Sequence, residues 1–308
     1  MSLIPLFSGG TGRSGTTIIV NLLNRHENIH SSMPREIRYL TDRAGLLDLN
    51  YRREDDKNLS LTNKFKRPAM YLLQYSPYWK RKIFLSGMQN SWWSTKGKNG
   101  NPRGLVQGIE REKLQELLDT FEYDSKVDLE EAAAQLFFQL AAAQISKPNV
   151  RYFADSTPAN ISNAEYISRL LPGSRFINMV RDGRDVAFSV SKQPFGPNDP
   201  FLALDWWKNR VLVSAKGMQK VSLKLSIEMR LEDLIEFRRE ESYTKILDFL
   251  ELPDSVRMRE YFALNMNTAN MHAGAWKKDM VGASKFEIRY TEILAELLEQ
   301  GIVIEKFY

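Results

Sequence analysis

Apolar runs of strand length alternate with helical patterns along this chain. Residues 3–7 form a first apolar run, and after a glycine-rich stretch the apolar pattern resumes at helical spacing over 18–23. A short strand is expected at 151–154, and a helical pattern over 160–171 ends at a Pro-Gly pair. Residues 175–180 are then a second uninterrupted apolar run. A strand, a helix and another buried strand in this order predict a βαβ unit in a parallel sheet.

The remaining pattern predicts helices that cover such a sheet. Apolar residues repeat every three or four positions between 128 and 147, and an amphipathic helix is expected over 285–298. A further strand at 223–229 precedes a helix over 243–250. These elements predict a single domain, residues 1–308, with an α/β fold: a three-layer α/β/α sandwich with a mainly parallel central sheet.

Two polar stretches interrupt the pattern. Residues 51–67 are polar and charged, and residues 86–102 are rich in Gly, Asn, Lys and Trp. We expect both to be surface insertions or segments of a lid.

Composition narrows the partners and the chemistry. The formal charge of +5 is modest and the basic residues are scattered among acidic ones, which favours an anionic small ligand over nucleic acid. The absence of cysteine excludes disulfides and thiolate zinc sites and fits a reducing, cytoplasmic location. The three histidines (His26, His30 and His272) suggest no metal site, and no apolar stretch is long enough for a membrane span, so we expect a soluble protein.

The glycine-rich stretch over residues 8–17 carries the first chemical signal, because it joins a strand to a helix. Glycines let backbone N–H groups approach an anion, and the helix N-terminus adds the positive end of its dipole. A nucleotide-hydrolysing P-loop has lysine where this chain has Thr16, whereas the cation of this loop is Arg13. The loop is therefore predicted to hold a phosphate-like group without the lysine and Mg²⁺ of an ATPase. The alternative is an ordinary strand-to-helix turn.

A second anion site is predicted where the strand at 175–180 ends. Arg181 follows this strand directly, and in an open parallel sheet ligands bind beyond the carboxyl ends of the strands. Ser189 follows eight residues later, about two helical turns on. A planar guanidinium and a hydroxyl suit a phosphate monoester. The alternative is a solvated charged turn formed by Arg181, Arg184 and two aspartates.

Taken in order, these motifs resemble the sulfotransferases that use 3′-phosphoadenosine 5′-phosphosulfate (PAPS). Residues 12–17 are similar to that family's loop Pro-Lys/Arg-Ser-Gly-Thr-Thr, and Arg181 with Ser189 matches its second motif. Further similarity lies at three places, residues 155–158, 230–234 and 274–278. The pattern is nearest to bacterial and Golgi-type glycan and protein-tyrosine sulfotransferases.

The resemblance implies a P-loop-like phosphosulfate-binding loop. It implies that residues 13–17 of this chain bind the 5′-phosphosulfate of PAPS and that Arg181 and Ser189 bind its 3′-phosphate. The implied product is adenosine 3′,5′-bisphosphate, and no metal is required. The implied cofactor-binding residues are Gly12, Arg13, Ser14, Gly15, Thr16, Thr17, Arg181, Ser189, Trp276, Lys277 and Lys278.

Sulfuryl transfer by in-line displacement requires stabilisation of charge on the leaving phosphate and removal of a proton from the acceptor. Arg13 is the candidate for the first task. Glu36 falls where the protein-tyrosine and glycan sulfotransferases place a catalytic glutamate, so it is the candidate general base. The alternative for Glu36 is a charge at a helix N-terminus after Pro34, where it would favour the dipole.

One position departs from the family pattern. Many relatives carry lysine, near the sulfate, at the position that is Ser156 in this chain. Lys277, Lys278 and Arg35 are the candidates to replace it, and the sequence does not choose among them.

The acceptor is expected to be a hydroxyl or amine of a glycan, lipid, peptide or small metabolite. Arg35, Trp92 and Trp93 are the candidate substrate-binding residues, because an aromatic pair can stack a sugar face or a planar group. The tandem pair Trp206-Trp207 offers the same possibility. The alternative for both pairs is burial in the core.

Two other functions compete with sulfuryl transfer. A P-loop kinase or NTPase acting on a small molecule would require a lysine in place of Thr16 and an aspartate that holds Mg²⁺. A non-catalytic nucleotide-binding protein would bind the ligand without turnover. Binding of adenosine 3′,5′-bisphosphate without Mg²⁺ argues against the first, and loss of turnover in Glu36→Ala with retained binding argues against the second.

Overall fold

A computed structural model describes residues 3–52, 76–97, 100–269, 273–279 and 282–306, except for the side chains of residues 278 and 279. The strands in this part of the chain are β1 (Ile4–Gly10), β2 (Ile29–Ser31), β3 (Thr95–Lys96), β4 (Pro102–Arg103), β5 (Tyr152–Asp155), β6 (Arg175–Val180) and β7 (Ser226–Arg230). Five of them form a parallel sheet in the order β2-β5-β1-β6-β7. β3 and β4 pair as a small antiparallel hairpin. The predicted parallel sheet is confirmed.

Helices cover both faces of the sheet. The helices are α1 (Thr16–Leu23), α2 (Arg38–Thr41), α3 (Leu46–Asn50), α4 (Pro77–Gln89), α5 (Arg111–Asp124), α6 (Leu129–Gln144), α7 (Ala164–Leu170), α8 (Gly183–Val190), α9 (Pro200–Met218), α10 (Arg239–Leu250), α11 (Val256–Asn265), α12 (Trp276–Asp279) and α13 (Ala283–Glu299). Short helical turns lie at Leu105–Gln107, Pro158–Asn160, Leu223–Leu225 and Asp233–Phe237. No helix in the described ranges is both long enough and apolar enough to cross a membrane.

The central strand β1 is buried on both faces. Leu6 belongs to the apolar cluster under α1, α10 and α11, whereas its neighbour Phe7 belongs to the cluster under α5, α6 and α7. Because successive side chains of a strand point to opposite faces, this split is what a helix–sheet–helix sandwich requires. A third cluster joins α8, α9 and α13 beside the sheet.

Strand β1 extends three residues beyond the predicted run. Residues Ser8, Gly9 and Gly10 of the glycine-rich stretch pair with β6, with Gly10 opposite Met179. A Cβ on Gly10 would lie 2.3 Å from the Met179 carbonyl oxygen, and Gly10 has a φ of +153°. Glycine therefore lets the strand continue to the point where the loop begins.

The strand expected at 223–229 is shorter and later than predicted. Its first residues form the turn Leu223–Leu225, in which the Leu225 N–H donates to the Ser222 carbonyl and the Lys224 N–H donates to Ser222 Oγ. Local hydrogen bonding by a serine thus competes with the sheet, and β7 begins only at Ser226.

The structure describes most of the second polar stretch but only the first two residues of the first. Residues 53–67 lie outside the described ranges. In the stretch 86–102, by contrast, the first residues end α4 and Thr95–Lys96 pairs with Pro102–Arg103. The N–H groups of Leu105 and Val106 donate to the carbonyls of Trp92 and Trp93, which ties this hairpin to the chain before it.

Candidate active site

Three of the motifs follow neighbouring strands. The carboxyl ends of β5, β1 and β6 lie side by side, so the residues after Asp155, Gly10 and Val180 meet at one edge of the sheet. This edge is where open parallel sheets bind ligands.

The loop after β1 is shaped to hold an anion. Gly12, Arg13 and Gly15 all have positive φ angles, +87°, +58° and +94°, and α1 begins at Thr16 without a side-chain cap. Its first backbone N–H groups are therefore available to a ligand. Ser14 Oγ, in the same loop, is buried and has no hydrogen-bond partner among the described residues. A phosphate oxygen at the start of α1 would accept hydrogen bonds from these backbone N–H groups.

The second motif contacts this loop directly. Arg13 Nε donates to Ser189 Oγ over 3.0 Å, and Arg181 Nη1 donates to the Arg13 carbonyl oxygen over 3.1 Å. The Arg181 side chain is only 15% exposed and lies 3.7 Å from the Asp185 carboxylate. The two anion motifs predicted from sequence are therefore parts of one site.

One cleft of about 490 Å³, which we call the first cavity, joins the two motifs. Its lining residues come from the loop and the start of α1, from Arg181 and from five further segments: Thr11, Gly12, Arg13, Gly15, Thr16, Thr17, Ile18, Glu36, Pro158, Arg181, Phe195, Trp206, Arg210 and Leu231. Ser14 and Ser189 are not among them. The cleft thus contains three arginines, and such a concentration of positive charge suits a ligand with several negative charges.

A second cavity of about 450 Å³ adjoins the first. Glu36 and Phe195 line both cavities, so the Glu36 carboxylate lies at their boundary. Arg103, from β4, pairs with Glu36 over 3.3 Å, and the Glu36 side chain is one-third exposed. A group bound in the second cavity would therefore meet one bound in the first at Glu36.

The Ser156 side chain does not face either cavity. Ser156 is fully buried, and both its N–H and its Oγ donate to the Arg35 carbonyl oxygen, over 3.0 and 2.9 Å. Arg35 itself is half-buried and lines neither cavity, and burial lowers the pKa of its guanidinium. The arginine that the sequence did not suggest is Arg210, which lines the first cavity one helical turn from Trp206.

In each tandem tryptophan pair, one ring lines a cavity and the other packs against neighbouring side chains. Trp206 lines the first cavity with the Arg210 guanidinium 5.1 Å from its ring, whereas Trp207 is buried in the third apolar cluster. Trp92 lines the second cavity, while Trp93 packs under the Arg111 guanidinium at 5.0 Å. Neighbouring helical residues point about 100° apart, so only one member of the pair on α9 can face the cleft.

The late segment is attached to the second motif through Asp185. The N–H groups of Gly274 and Trp276 donate to the Asp185 carboxylate over 2.7 and 3.5 Å. The Trp276 ring is buried in the third apolar cluster and is not among the lining residues of the first cavity. Lys277 is exposed, and the side chain of Lys278 lies outside the described residues, as does His272.

The charged turn after β6 is buried rather than solvated. Arg184 is inaccessible to solvent and pairs with Asp182 and Glu287, each over 2.6 Å. Beneath it the buried Glu232, from the 230–234 motif, accepts a hydrogen bond from the Asp182 N–H over 2.9 Å. Burial raises the pKa of the Glu232 carboxyl to about 7, an effect that this hydrogen bond opposes. These contacts fix the turn that presents Arg181.

The chain was compared with known proteins in sequence and in fold. Part of the chain is similar to protein-tyrosine sulfotransferase 2 of Gallus gallus, with 29% identity over 125 residues, which is 39% of this chain and 33% of that protein. The chain thus matches about a third of that relative's length.

The fold is similar to that of a solved sulfotransferase domain. The sulfotransferase domain from the curacin biosynthetic pathway superposes with a TM-score of 0.53 at 14% identity, covering 97% of this chain and 98% of the domain. For the sulfotransferase domain of the Synechococcus PCC 7002 olefin synthase the TM-score is 0.48 at 18% identity, with 97% and 94% covered. A family model described as "Sulfotransferase family" matches residues 5–256. The chain therefore belongs to the sulfotransferase family, and so to the transferases.

Proposed function

We propose that this protein transfers a sulfuryl group from PAPS to a hydroxyl or amine of an acceptor. The observation that carries the proposal is the position of Glu36 between two cavities, one of which joins both anion motifs. A donor with charges at two ends fits the first cavity, and an acceptor in the second would reach it beside a carboxylate.

The residues of the first cavity fit the donor. Residues 13–17, with the open N-terminus of α1, would hold the 5′-phosphosulfate. Arg181 would hold the 3′-phosphate together with Ser189, which Arg13 contacts although Ser189 does not line the cavity. When bound, PAPS supplies a sulfuryl group whose bond to the 5′-phosphate oxygen breaks as the acceptor oxygen or nitrogen bonds to sulfur. Arg13 would stabilise the negative charge left on that phosphate.

Glu36 is the proposed general base. Its carboxylate would take the proton from the attacking hydroxyl, and Arg103 would hold the carboxylate in place through their ion pair. Trp206 and Arg210 are proposed as further donor contacts, since both line the first cavity. In the second cavity Trp92 is the proposed acceptor contact, whereas Arg35 and Trp93 would act only through their neighbours.

The donor assignment is tested with purified protein, radiolabelled PAPS and a panel of hydroxyl and amine acceptors. We expect transfer of the label to an acceptor, with adenosine 3′,5′-bisphosphate released in equal amount and with EDTA present. ATP and Mg²⁺ should give no phosphoryl transfer. Phosphoryl transfer from ATP in place of sulfuryl transfer would establish the kinase alternative instead, and binding of adenosine 3′,5′-bisphosphate with no product from any acceptor would favour the non-catalytic protein.

The role of the base is tested by Glu36→Gln, which keeps the size of the side chain. Loss of a general base should lower kcat by roughly 10²–10⁴-fold while the affinity for adenosine 3′,5′-bisphosphate stays within about twofold. Glu165→Gln is the control, because Glu165 lies on α7 and pairs with Lys220 away from both cavities. Unchanged turnover in Glu36→Gln would remove Glu36 from the mechanism.

A further inference from the structure

The segment that carries Glu36 crosses the carboxyl end of β5, where two residues bind its backbone. We propose that Asp155 and Ser156 are positioning residues that fix the Glu36 carboxylate at the boundary of the two cavities. This inference rests on the proposed role of Glu36 as the base.

The hydrogen bonds fall on both sides of Glu36. Ser156 donates twice to the Arg35 carbonyl, which belongs to the peptide group before Glu36. The Ile37 N–H, which belongs to the peptide group after Glu36, donates to Asp155 Oδ1 over 2.7 Å. With both flanking peptide groups held, the φ and ψ angles of Glu36 are fixed, and so is the direction in which its side chain leaves the backbone.

The Asp155 carboxylate is itself held rigidly. It is fully buried and accepts hydrogen bonds from the N–H of Thr157 over 3.1 Å, from Thr157 Oγ1 over 3.2 Å and from Asn160 Nδ2 over 2.5 Å. Asn160 Nδ2 also donates to the Ser8 carbonyl oxygen of β1. The network therefore connects the segment of Glu36 to the strand that leads into the first loop.

This use of Ser156 accounts for the departure from the family pattern. A lysine at this position could extend towards a ligand, whereas the short Ser156 side chain ends on the Arg35 carbonyl. In this chain the position supports the base, and the cations of the first cavity come from Arg13, Arg181 and Arg210. Small displacements of a catalytic group from its productive geometry cost large factors in rate, so such support has a measurable effect.

The first test compares Ser156→Ala with Ser174→Ala. Both serines are buried and both donate from Oγ to a backbone carbonyl, but Ser174 bonds to Leu171, away from both cavities. We expect Ser156→Ala to lower kcat by about tenfold, with little change in the donor KM or in the affinity for adenosine 3′,5′-bisphosphate. Ser174→Ala should leave kcat within about twofold. Equal kcat losses in the two variants would overturn the proposal.

The second test repeats Ser156→Ala in the Glu36→Gln background. If Ser156 acts through Glu36, the second substitution should cause no further loss of kcat once the base is gone. A loss that is the same in both backgrounds would show a general effect on the fold and overturn the positioning role. A kcat that Glu36→Gln alone leaves unchanged would instead reject the role of Glu36 as the base, on which this inference rests.

The third test does not depend on activity. In Asp155→Ala both carboxylate oxygens are removed, so the Ile37 N–H loses the acceptor that holds it. We expect hydrogen exchange in a peptide covering residues 35–38 to become about tenfold faster, with β6 unchanged. Unchanged exchange at residues 35–38 would reject the restraint even in a fully active enzyme. Faster exchange in a protein that transfers no sulfuryl group would keep the restraint and reject the function.

Discussion

At the scale of single residues, the candidate donor site depends on two arginines, each of which contacts the other anion motif. Arg13 reaches Ser189, and Arg181 reaches the Arg13 carbonyl, although the paired residues are 176 and 168 positions apart in the chain. Neither arginine is therefore a freely moving surface charge. Their mutual contacts pre-organise two cations at one cleft, which lowers the entropic cost of binding a ligand with several negative charges.

Removal of either cation should weaken donor binding. Arg13→Ala and Arg181→Ala each remove a charge-assisted contact of about 1.5–3 kcal/mol, so the Kd for adenosine 3′,5′-bisphosphate should rise by roughly 10- to 150-fold. Isothermal titration calorimetry measures the change. Arg259→Ala is the control for loss of a charge, because Arg259, on α11, pairs with Glu240 and Asp254 and lines neither cavity. Wild-type affinity in both cleft variants would contradict the assignment.

At the scale of elements, the site depends on where β1 ends. Pairing with β6 carries the strand to Gly10, and the loop then turns through residues with positive φ before α1 begins. The second motif has a comparable arrangement: the Asp182 side chain caps α8, and Asp185, in the first turn of that helix, binds the late segment. Each helix thus starts at the ligand edge of the sheet.

Because β1 and β6 approach closely at Gly10, a side chain at this position should lower the free energy of unfolding. In Gly10→Ala the new Cβ would lie 2.3 Å from the Met179 carbonyl oxygen, which requires one of the two strands to shift. We expect a loss of about 2 kcal/mol or more in the free energy of unfolding, measured by urea denaturation. Gly173→Ala is the control, since Gly173 also has a positive φ, of +82°, but nothing lies near its Cβ position. A smaller loss in Gly10→Ala than in Gly173→Ala would contradict the steric argument.

At the scale of the whole molecule, buried charge lies under the second motif. Arg184 and Asp182 are buried, and the Arg184 guanidinium lies 4.6 and 4.7 Å from the Trp276 and Tyr290 rings of the third apolar cluster. Glu232, which follows β7, bonds to the Asp182 N–H. Buried charges that are paired hold a turn rigid, but an ionised carboxylate in such a place also opposes folding through its desolvation. Glu232 is therefore one group through which pH should act on the stability of the protein.

Acidification should stabilise the fold through Glu232. Its pKa is about 7 in the folded protein and near 4.5 without burial, so between these values the folded state binds a proton that the unfolded chain does not. The contribution of this group should therefore rise by about 2 kcal/mol as the pH falls from 8 to 5.5.

The matched variant is Glu232→Gln, which keeps an oxygen for the Asp182 N–H and cannot titrate. Urea denaturation at pH 5.5 and 8 should show wild type gaining stability on acidification relative to this variant. The same difference between the two proteins at both pH values would mean that Glu232 does not titrate in this range.

The spacing of apolar residues correctly predicted the helices and strands whose formation depends mainly on burial of one face. The run at 175–180 corresponds to β6, and the helix expected between 128 and 147 is α6. The expected strand at 223–229 failed in its first half because the Ser222 side chain and carbonyl accept hydrogen bonds from the residues just after it. Apolar periodicity does not detect such competition, because it records burial and not hydrogen bonding.

The sequence by itself determined the sulfotransferase family and the parallel α/β fold, and it predicted the two anion motifs. Glycines at the end of a strand indicate a turn that can hold an anion, and an arginine after a buried strand indicates a residue at the ligand edge of the sheet. Both indications depend only on neighbouring residues in the sequence. Only the tertiary structure decided that Trp206 faces the cleft while Trp207 is buried, that Arg210 lines it, and that Ser156 binds the Arg35 carbonyl. Those assignments depend on which residues, distant in the chain, come within hydrogen-bonding or packing distance, and that proximity arises only when the layers pack.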